Sequence, residues 1–498
     1  MKKPTSAAVI ITKPTFHGHM VPLGYLYVVA ALKEAGFPTI AVKSDASAGA
    51  GLESLVDAID ATGAELVVTG TSYKFHNNCP SSTIESAMAA ARAAKKSDPG
   101  RRVLLVGPLN AAVYESLLKE PAVDAVALGE PEGICADFAA SIRDGRPPSD
   151  IPGLALRGAD GVVLTGIREY PDPDALPFPD REAADFEEHI GHSYFSPRTT
   201  EVLTSRGCPF NCSYCFGARS SRRNSVNSGA PFRGASPERV VEEIDLLYRK
   251  WSVRGVKFSD VEFCASSSRV ENICALMLSK GYKDLRWRAV THAKSVQPEL
   301  LRLMRSAGCV NIYYGVESGD ERMLRVMNKK AALEDIRETF RRTREAGIKP
   351  EASFLLGVPG ETEESAENTI RFAMEIKPFV ATFHVFLPYP GIPLESRMKK
   401  EDAQHLDDWD VYQLRVGKSY CDIPPERLEA LSKIAYRRFY LRASKIVELI
   451  FCALREPTMR GYAFRILAGK NEGSWLRKML VGRRRLGKDP GAKRRECL

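Results

Sequence analysis

Nowhere in its 498 residues does the chain hold a run approaching the ~18 to 20 apolar residues of a membrane-spanning helix. The opening MKKPTSAAVIITKP has only five apolar residues in a row, Ala7 to Ile11, before Thr12, Lys13 and Pro14. That is the pattern of a first β-strand rather than of a secretory leader, and together these absences point to a cytoplasmic protein. The cysteines lack a pairing scheme: eleven is an odd number and eight lie scattered, so a disulfide framework is not expected. Net charge is scarce over most of the chain. Of the formal +9, residues 477 to 498 hold +7, and the nearly neutral remainder gives no broad basic footprint, so no nucleic-acid partner is expected. The basic segment 476–498 reads either as a solvated, disordered tail or as one drawn to an anionic membrane surface in a peripheral contact.

At about three times a typical domain length, two or three domains are expected. Residues 1–147 alternate short β-branched runs (AVIIT, TIAVKS, ELVVTGTS, RVLLVGP, DAVALGE) with amphipathic stretches such as LGYLYVVAALKEAG, which closes at Gly36. Five βα units imply a flavodoxin-like, Rossmann-type sheet with its ligand at the carboxyl ends of the strands, where KPTFHGH, GTSY, GPLNA and GEPEG lie. Residues 148–197 read as a linker with a small hairpin, IPGLALRGADGVVLTG, and a proline-stiffened connector. Residues 198–395 hold six further βα units, the mark of a partial (β/α)6 barrel whose chemistry sits at its strand ends. Residues 396–475 are helical in pattern and are expected to pack as a cap or sidewall. The expected fold class is thus α/β, with a C-terminal helical region.

Directly after the first barrel strand comes SRGCPFNCSYCFG, with Cys208, Cys212 and Cys215. Structural zinc and four-iron sites usually take four protein ligands. Zinc would need a histidine or second cysteine pair at finger-like spacing, and no histidine follows until His292. A four-iron cluster with one iron left open fits three thiols better.

CPFNCSYC after a strand resembles the CxxxCxxC signature of radical S-adenosylmethionine enzymes, with Tyr214 as the aromatic before the last cysteine. The resemblance implies that Cys208, Cys212 and Cys215 hold a [4Fe-4S] cluster. Its open iron would chelate S-adenosylmethionine, whose reductive cleavage gives a 5'-deoxyadenosyl radical. AGCVNIYYGVESG and FLLGVPGETEES are similar to superfamily segments that hold S-adenosylmethionine, which makes Glu317, a strand-end carboxylate, and Gly357 candidates for that role. Gly357, Pro359 and Gly360 read equally as turn residues. Asp260, Glu262, Arg288 and Ser318 end or line neighbouring strands and read either as ligand contacts or as barrel-mouth salt bridges. SDVEF stands where the family usually has a DDxF-like acidic pair.

A flavodoxin-like sheet ahead of such a barrel resembles the cobalamin-binding class of the superfamily, in which GEPEG looks like a GEGE segment and GPLNA stands at GGPH. The resemblance implies a cobalamin pocket, for which Ser72, Tyr73, Gly107 and Glu130 are candidates by position. His17 and His19 are candidates to approach cobalt, with polar loop residues as the other reading, because the cobalt-ligating DxHxxG motif is missing. The expected activity is a cobalamin-dependent radical methyltransferase that methylates an unactivated carbon, or phosphorus, of a biosynthetic intermediate. The alternatives are a radical cyclase, dehydratase, epimerase or other rearrangement enzyme, and a non-catalytic iron-sulfur sensor. The substrate would be a small molecule, lipid or peptide, and an electron donor such as flavodoxin or ferredoxin would serve the cluster. Tyr436, Arg437, Arg438, Phe439 and Tyr440 read either as a substrate wall or as helix packing.

Overall fold

Two large sheets, one mixed and one parallel, carry the described residues. A computed structural model describes residues 5–12, 21–44, 52–72, 83–217, 232–398 and 418–461. His17, His19, Tyr73 and the basic segment lie outside the described residues.

The first sheet is built from β1 (Ala7–Thr12), α1 (Leu23–Glu34), β2 (Thr39–Ser44), α2 (Leu52–Thr62), β3 (Leu66–Gly70), α3 (Ile84–Ser97), β4 (Arg102–Val106), α4 (Asn110–Leu117), β5 (Ala125–Ala127) and α5 (Pro131–Asp144). Its parallel order is β2-β1-β3-β4-β5. This is the flavodoxin-like order, whose ligand crevice opens at the carboxyl ends of the strands. The strands read as near-continuous apolar runs because helices cover both faces; β3, for example, is buried at every position. Asn110 fastens the carboxyl edge. Its amide donates to Leu105 O and Ala127 O (3.0 Å each), and its carbonyl accepts from the Thr71 hydroxyl (2.7 Å), so three strands are tied by one side chain.

The hairpin expected in the linker forms as β6 (Leu154–Gly158) and β7 (Gly161–Leu164), but it is not a separate unit. β6 pairs antiparallel with β5 and β7 with β6, so the first sheet is seven-stranded and extends past residue 147. The three-residue β5 would otherwise be an open edge, and the hairpin covers it.

The second sheet begins with β8 (Thr199–Val202), followed by the two-residue pair β9 (Ser205–Arg206) and β10 (Arg233–Gly234), then α6 (Pro237–Lys250), β11 (Gly255–Phe258), α7 (Ser267–Lys280), β12 (Arg286–Thr291), α8 (Pro298–Ser306), β13 (Cys309–Glu317), α9 (Glu321–Val326), α10 (Leu333–Glu345), β14 (Lys349–Leu356), α11 (Glu363–Ile376) and β15 (Val380–Val385). Strands β8-β11-β12-β13-β14-β15 pair in parallel, giving the open six-stranded barrel wall. Helix starts follow local chemistry: Ser236, Ser266, Asp320 and Thr362 each accept a backbone N–H of the first turn.

Two C-terminal helices follow, α12 (Pro425–Tyr440) and α13 (Ala443–Arg455), with a further helical turn over 457–461. β15 is an edge strand with unpaired main-chain groups, and α12 satisfies them. The Phe383 N–H donates to the Tyr436 hydroxyl (3.1 Å), while Tyr440 accepts from Ala381 N–H (3.0 Å) and donates to Ala381 O (2.9 Å). Tyr436, Phe439 and Tyr440 are therefore packing and edge-capping residues, and Arg438 pairs with Glu367 on the surface. The substrate-wall reading of this segment does not hold. Among the described residues no helix is long and apolar enough to cross a membrane.

Candidate active site

The cysteine loop leaves the barrel just past β8, and its entry is fixed by Asp260. That carboxylate accepts from Thr204 N–H (3.1 Å), the Thr204 hydroxyl (2.9 Å) and the Ser205 hydroxyl. Burial pushes the Asp260 carboxyl above its usual range, and the Arg269 charge with these donors opposes the shift. Farther along, Ser213 donates from its N–H to Met327 O (2.9 Å) and from its hydroxyl to Val326 O (2.8 Å). The Asn328 amide donates to Asn211 O (2.6 Å), and Leu394 N–H donates to Ser213 O (2.9 Å). Phe210 stacks on His292 at 4.1 Å, and Phe216 meets Tyr389 edge-on at 5.8 Å. A loop pinned at so many points holds Cys208 and Cys215 half-buried and Cys212 buried without regular structure.

Facing the thiols are Tyr214, Glu317 and Lys329. A bulge between Gly315 and Glu317 in the β13–β14 register, with Glu317 at φ 72, turns its carboxylate into the barrel mouth. A non-glycine residue in that region is a strained position of the kind found at ligand sites. Tyr214 donates a hydrogen bond to Glu317, Ser353 approaches it at 3.5 Å, and the Lys329 ammonium lies 4.0 Å away. Burial raises the Glu317 carboxyl above its usual range against the pull of Lys329 and Tyr214. A Cβ at Gly315 would come within 2.5 Å of Glu317 Oε1 and 3.2 Å of Lys329 Nζ, so a side chain there would displace both groups.

Burial also pushes the Cys208 thiol up to about 12 and raises Cys212 and Cys215, while the Lys329 charge opposes the shift at all three. Among the described residues Lys329 is thus a buried cation whose field all three loop thiols share. The sequence reading missed it. Its only signal was position, twelve residues past Glu317 in VMNKK, on the turn that follows α9.

The other candidates are engaged elsewhere. Glu262 accepts from the His292 N–H (2.6 Å) and the Thr291 hydroxyl, so it secures the end of β12. Ser318 turns away from the mouth, bonding Thr369 (3.0 Å) and accepting from Asp320 N–H (3.1 Å). Gly357 gives its N–H to the Glu361 carboxylate, has φ 87 and is overlain by Leu428 of α12, so it serves the turn. Arg288 sits in the first half of β12 and pairs with Glu351 at 3.3 Å, toward the barrel floor. Burial pushes that Glu351 carboxyl up to about 8.

Glu130 lies at the carboxyl edge of the first sheet, at the N-cap position of α5 but without a side-chain cap bond, and pairs with Arg206 (2.7 Å) and Arg233, while Glu132 takes the other side of Arg206 at 2.7 Å. Arg206 stands two residues before Cys208, and its guanidinium lies over Tyr27 of α1 at 5.2 Å. The carboxyl edge of the first sheet is thereby bolted to the start of the cysteine loop. At that edge Gly107 has φ 135, and a Cβ would strike Thr71 Oγ1 at 2.4 Å. Ser72 is buried at the end of β3.

Two family models match this layout, one described as the radical SAM superfamily over residues 202–373 and one as a B12 binding domain over residues 10–139. The chain carries the two domains of a cobalamin-binding radical S-adenosylmethionine enzyme. The enzyme is 27% identical to an uncharacterized methyltransferase of Pyrococcus horikoshii, covering 74% of this chain and 79% of that one. It is 25% identical to the anaerobic magnesium-protoporphyrin IX monomethyl ester cyclase of Cereibacter sphaeroides, covering 87% and 70%. Its fold matches the radical S-adenosylmethionine methyltransferase TsrM of Kitasatospora setae, solved with cobalamin and a [4Fe-4S] cluster, with a TM-score of 0.64 at 17% identity over 78% and 74% of the two chains.

The enzyme's cofactors are a [4Fe-4S] cluster, S-adenosylmethionine and cobalamin. Its residues fit the cluster. Three soft thiols on one pinned loop suit iron, and the buried Lys329 balances the negative charge that thiolates would bring. Among the described residues no three ligating side chains converge on one ion; a four-iron core asks for no such convergence, because each thiolate meets its own iron. Removing the charge with Lys329→Met is expected to weaken S-adenosylmethionine binding about tenfold, ~1.4 kcal/mol, with Lys329→Arg keeping part of the affinity. Equilibrium dialysis of the reconstituted protein measures this, and unchanged affinity in the methionine variant would remove Lys329 from the site.

Proposed function

We propose that the enzyme is a cobalamin-dependent radical methyltransferase acting on a small-molecule biosynthetic intermediate. The observation that carries the reading is the Glu130–Arg206–Glu132 joint, which sets the corrinoid-binding edge of the first sheet against the cysteine loop. Two cofactor sites brought to one mouth suit a reaction that needs both in a single turnover. When bound, the cluster and S-adenosylmethionine supply the 5'-deoxyadenosyl radical, and cobalamin carries the methyl group.

The chain's own residues have distinct tasks in this reading. Cys208, Cys212 and Cys215 are the cluster ligands. Glu317 accepts hydrogen bonds from an ammonium or ribose hydroxyls, Lys329 meets a carboxylate, and Tyr214 holds Glu317 in place. The pinned loop and the buried mouth keep water from the radical centre. Reduced flavodoxin or ferredoxin is the proposed electron source.

A second reading, radical cyclization without methyl transfer, is favoured by the similarity to the Cereibacter sphaeroides cyclase over 87% of the chain. Anaerobic reconstitution with iron, sulfide and hydroxocobalamin, followed by incubation with S-adenosylmethionine and a low-potential reductant, separates the two. Methyl transfer requires corrinoid retention and release of both S-adenosylhomocysteine and 5'-deoxyadenosine. Protein that retains no corrinoid and yields 5'-deoxyadenosine alone would overturn the methyltransferase reading.

A further inference from the structure

Helix α13 is inverted relative to an ordinary surface helix. Its one fully buried side chain is a lysine: Lys445 is 1% exposed, donates to Pro378 O at 2.9 Å, pairs with Glu448 at 2.7 Å, and lies against the Phe379 and Phe439 rings. Of its large apolar side chains only Leu449 packs, partly buried, against the core, and the others point the other way. Ile446, Val447, Ile450, Phe451 and Leu454 are all exposed, Val447 at 64% and Leu454 at 69%. With 3.6 residues per turn these five fall within an arc of about 140°. An apolar face of this kind marks an interaction site rather than scattered surface residues.

The surroundings are cationic. Arg455 folds its guanidinium over Phe451 at 3.9 Å, and an open cleft of about 260 Å³ beside the helix is lined by Arg344, Lys349 and Lys377, with Glu448 opposite. Arg442 precedes the helix and Arg460 follows it. The sequence continues after residue 461 with eleven Lys or Arg against three acids through residue 498. An apolar stripe flanked by basic side chains, followed by a basic segment, is the pair of signals that holds a protein reversibly on an anionic bilayer.

We propose that α13 is a bilayer-docking helix whose partner is an anionic phospholipid surface. The helix is fixed to the barrel floor, where Lys349 at the start of β14 pairs with Glu456 (2.7 Å) and the Thr458 hydroxyl donates to Tyr194 O (3.2 Å). Docking therefore puts the bilayer at the end of the barrel opposite the cysteine loop, and it localises the enzyme without closing its mouth. The inference does not depend on which radical reaction the mouth performs.

The test is co-sedimentation of the full chain with phosphatidylcholine vesicles, with and without phosphatidylglycerol, beside an Ile450→Asp/Phe451→Asp variant. Wild type should pellet with the anionic vesicles and be released at about 0.5 M salt, where the Debye length shrinks to a few ångströms. The variant should lose at least about tenfold in bound fraction while keeping the wild-type thermal melt and S-adenosylmethionine cleavage. A variant that binds like wild type would assign attachment to the basic segment alone and overturn the role of α13. Wild type that ignores anionic vesicles would overturn the proposal. So would wild type that is dimeric by light scattering and becomes monomeric in the variant, since a second copy would then cover the stripe.

Discussion

Cys212→Ala should abolish both the cluster and S-adenosylmethionine cleavage. Cys212 is the one of the three cysteines that is buried as a whole residue, on a loop whose backbone is held by Ser213 to Met327 and by Asn211 to Asn328. The loop cannot move another ligand into the gap without breaking these bonds, and Cys264, Cys274 and Cys309 are buried on β11's exit, α7 and β13. Two thiolates hold a four-iron core poorly. After anaerobic reconstitution, iron and acid-labile sulfide should fall to the level of unbound carry-over, the visible charge-transfer band should vanish, and 5'-deoxyadenosine should not exceed the rate without protein. The alanine fills less volume than the thiol, so folding should survive, and far-ultraviolet circular dichroism checks that it does. A variant with a full complement of iron and normal cleavage would remove Cys212 from the ligand set.

The parts of this site that were legible in the sequence are those whose residues lie close along the chain. CPFNCSYC declares three ligands within eight residues, and its place after a β-branched strand put it at a barrel mouth before any contact was known. Strand ends were legible for the same reason, since apolar runs closed by glycine and polar residues mark them. Residues whose meaning depends on long-range pairing were not. Lys329 reads as one of two lysines after a short helix, and only the approach of that turn to the cysteine loop makes it a buried cation at 4.0 Å from Glu317. Glu130 lies at a strand end that suits a ligand, yet its partner Arg206 is 76 residues away. Asp260 and Glu262 read as strand-end acids, but pattern cannot tell a carboxylate open to a ligand from one already accepting from Thr204 or His292. The same ambiguity governs Tyr436 and Tyr440, whose task follows from β15 being the open edge of the wall. In α13 periodicity reveals the stripe but not its direction, which Lys445 and the barrel floor decide.

Arg206→Met should cost about 3–5 kcal/mol of stability, because removing one partner of a buried ionic cluster leaves the other charges uncompensated. Arg206 is 4% exposed and Glu132 1%, and the two carboxylates that flank the guanidinium each lie 2.7 Å from it. Burial disfavours the charged guanidinium, and Glu132 and Glu130 outweigh that cost and hold it protonated. Methionine matches much of the arginine stem and can still cover Tyr27, so the loss is chiefly electrostatic. Glu130 retains Arg233, and Glu132 is the more deeply buried of the two carboxylates, so adding Glu132→Gln to Arg206→Met should restore part of the loss. A urea titration of the three proteins reads this as non-additive midpoints. Function separates the joint from a mere stabiliser. Corrinoid and cluster should each still bind, and 5'-deoxyadenosine formation should change little. Methyl transfer depends on the register between the two cofactor sites, and a displacement of about 1 Å can cost on the order of 10²-fold. Its rate should therefore fall far more than cleavage does. Equal losses in both steps would mean that Arg206 supports the fold alone, and that the carboxyl edge of the first sheet keeps its place against the cysteine loop by other contacts.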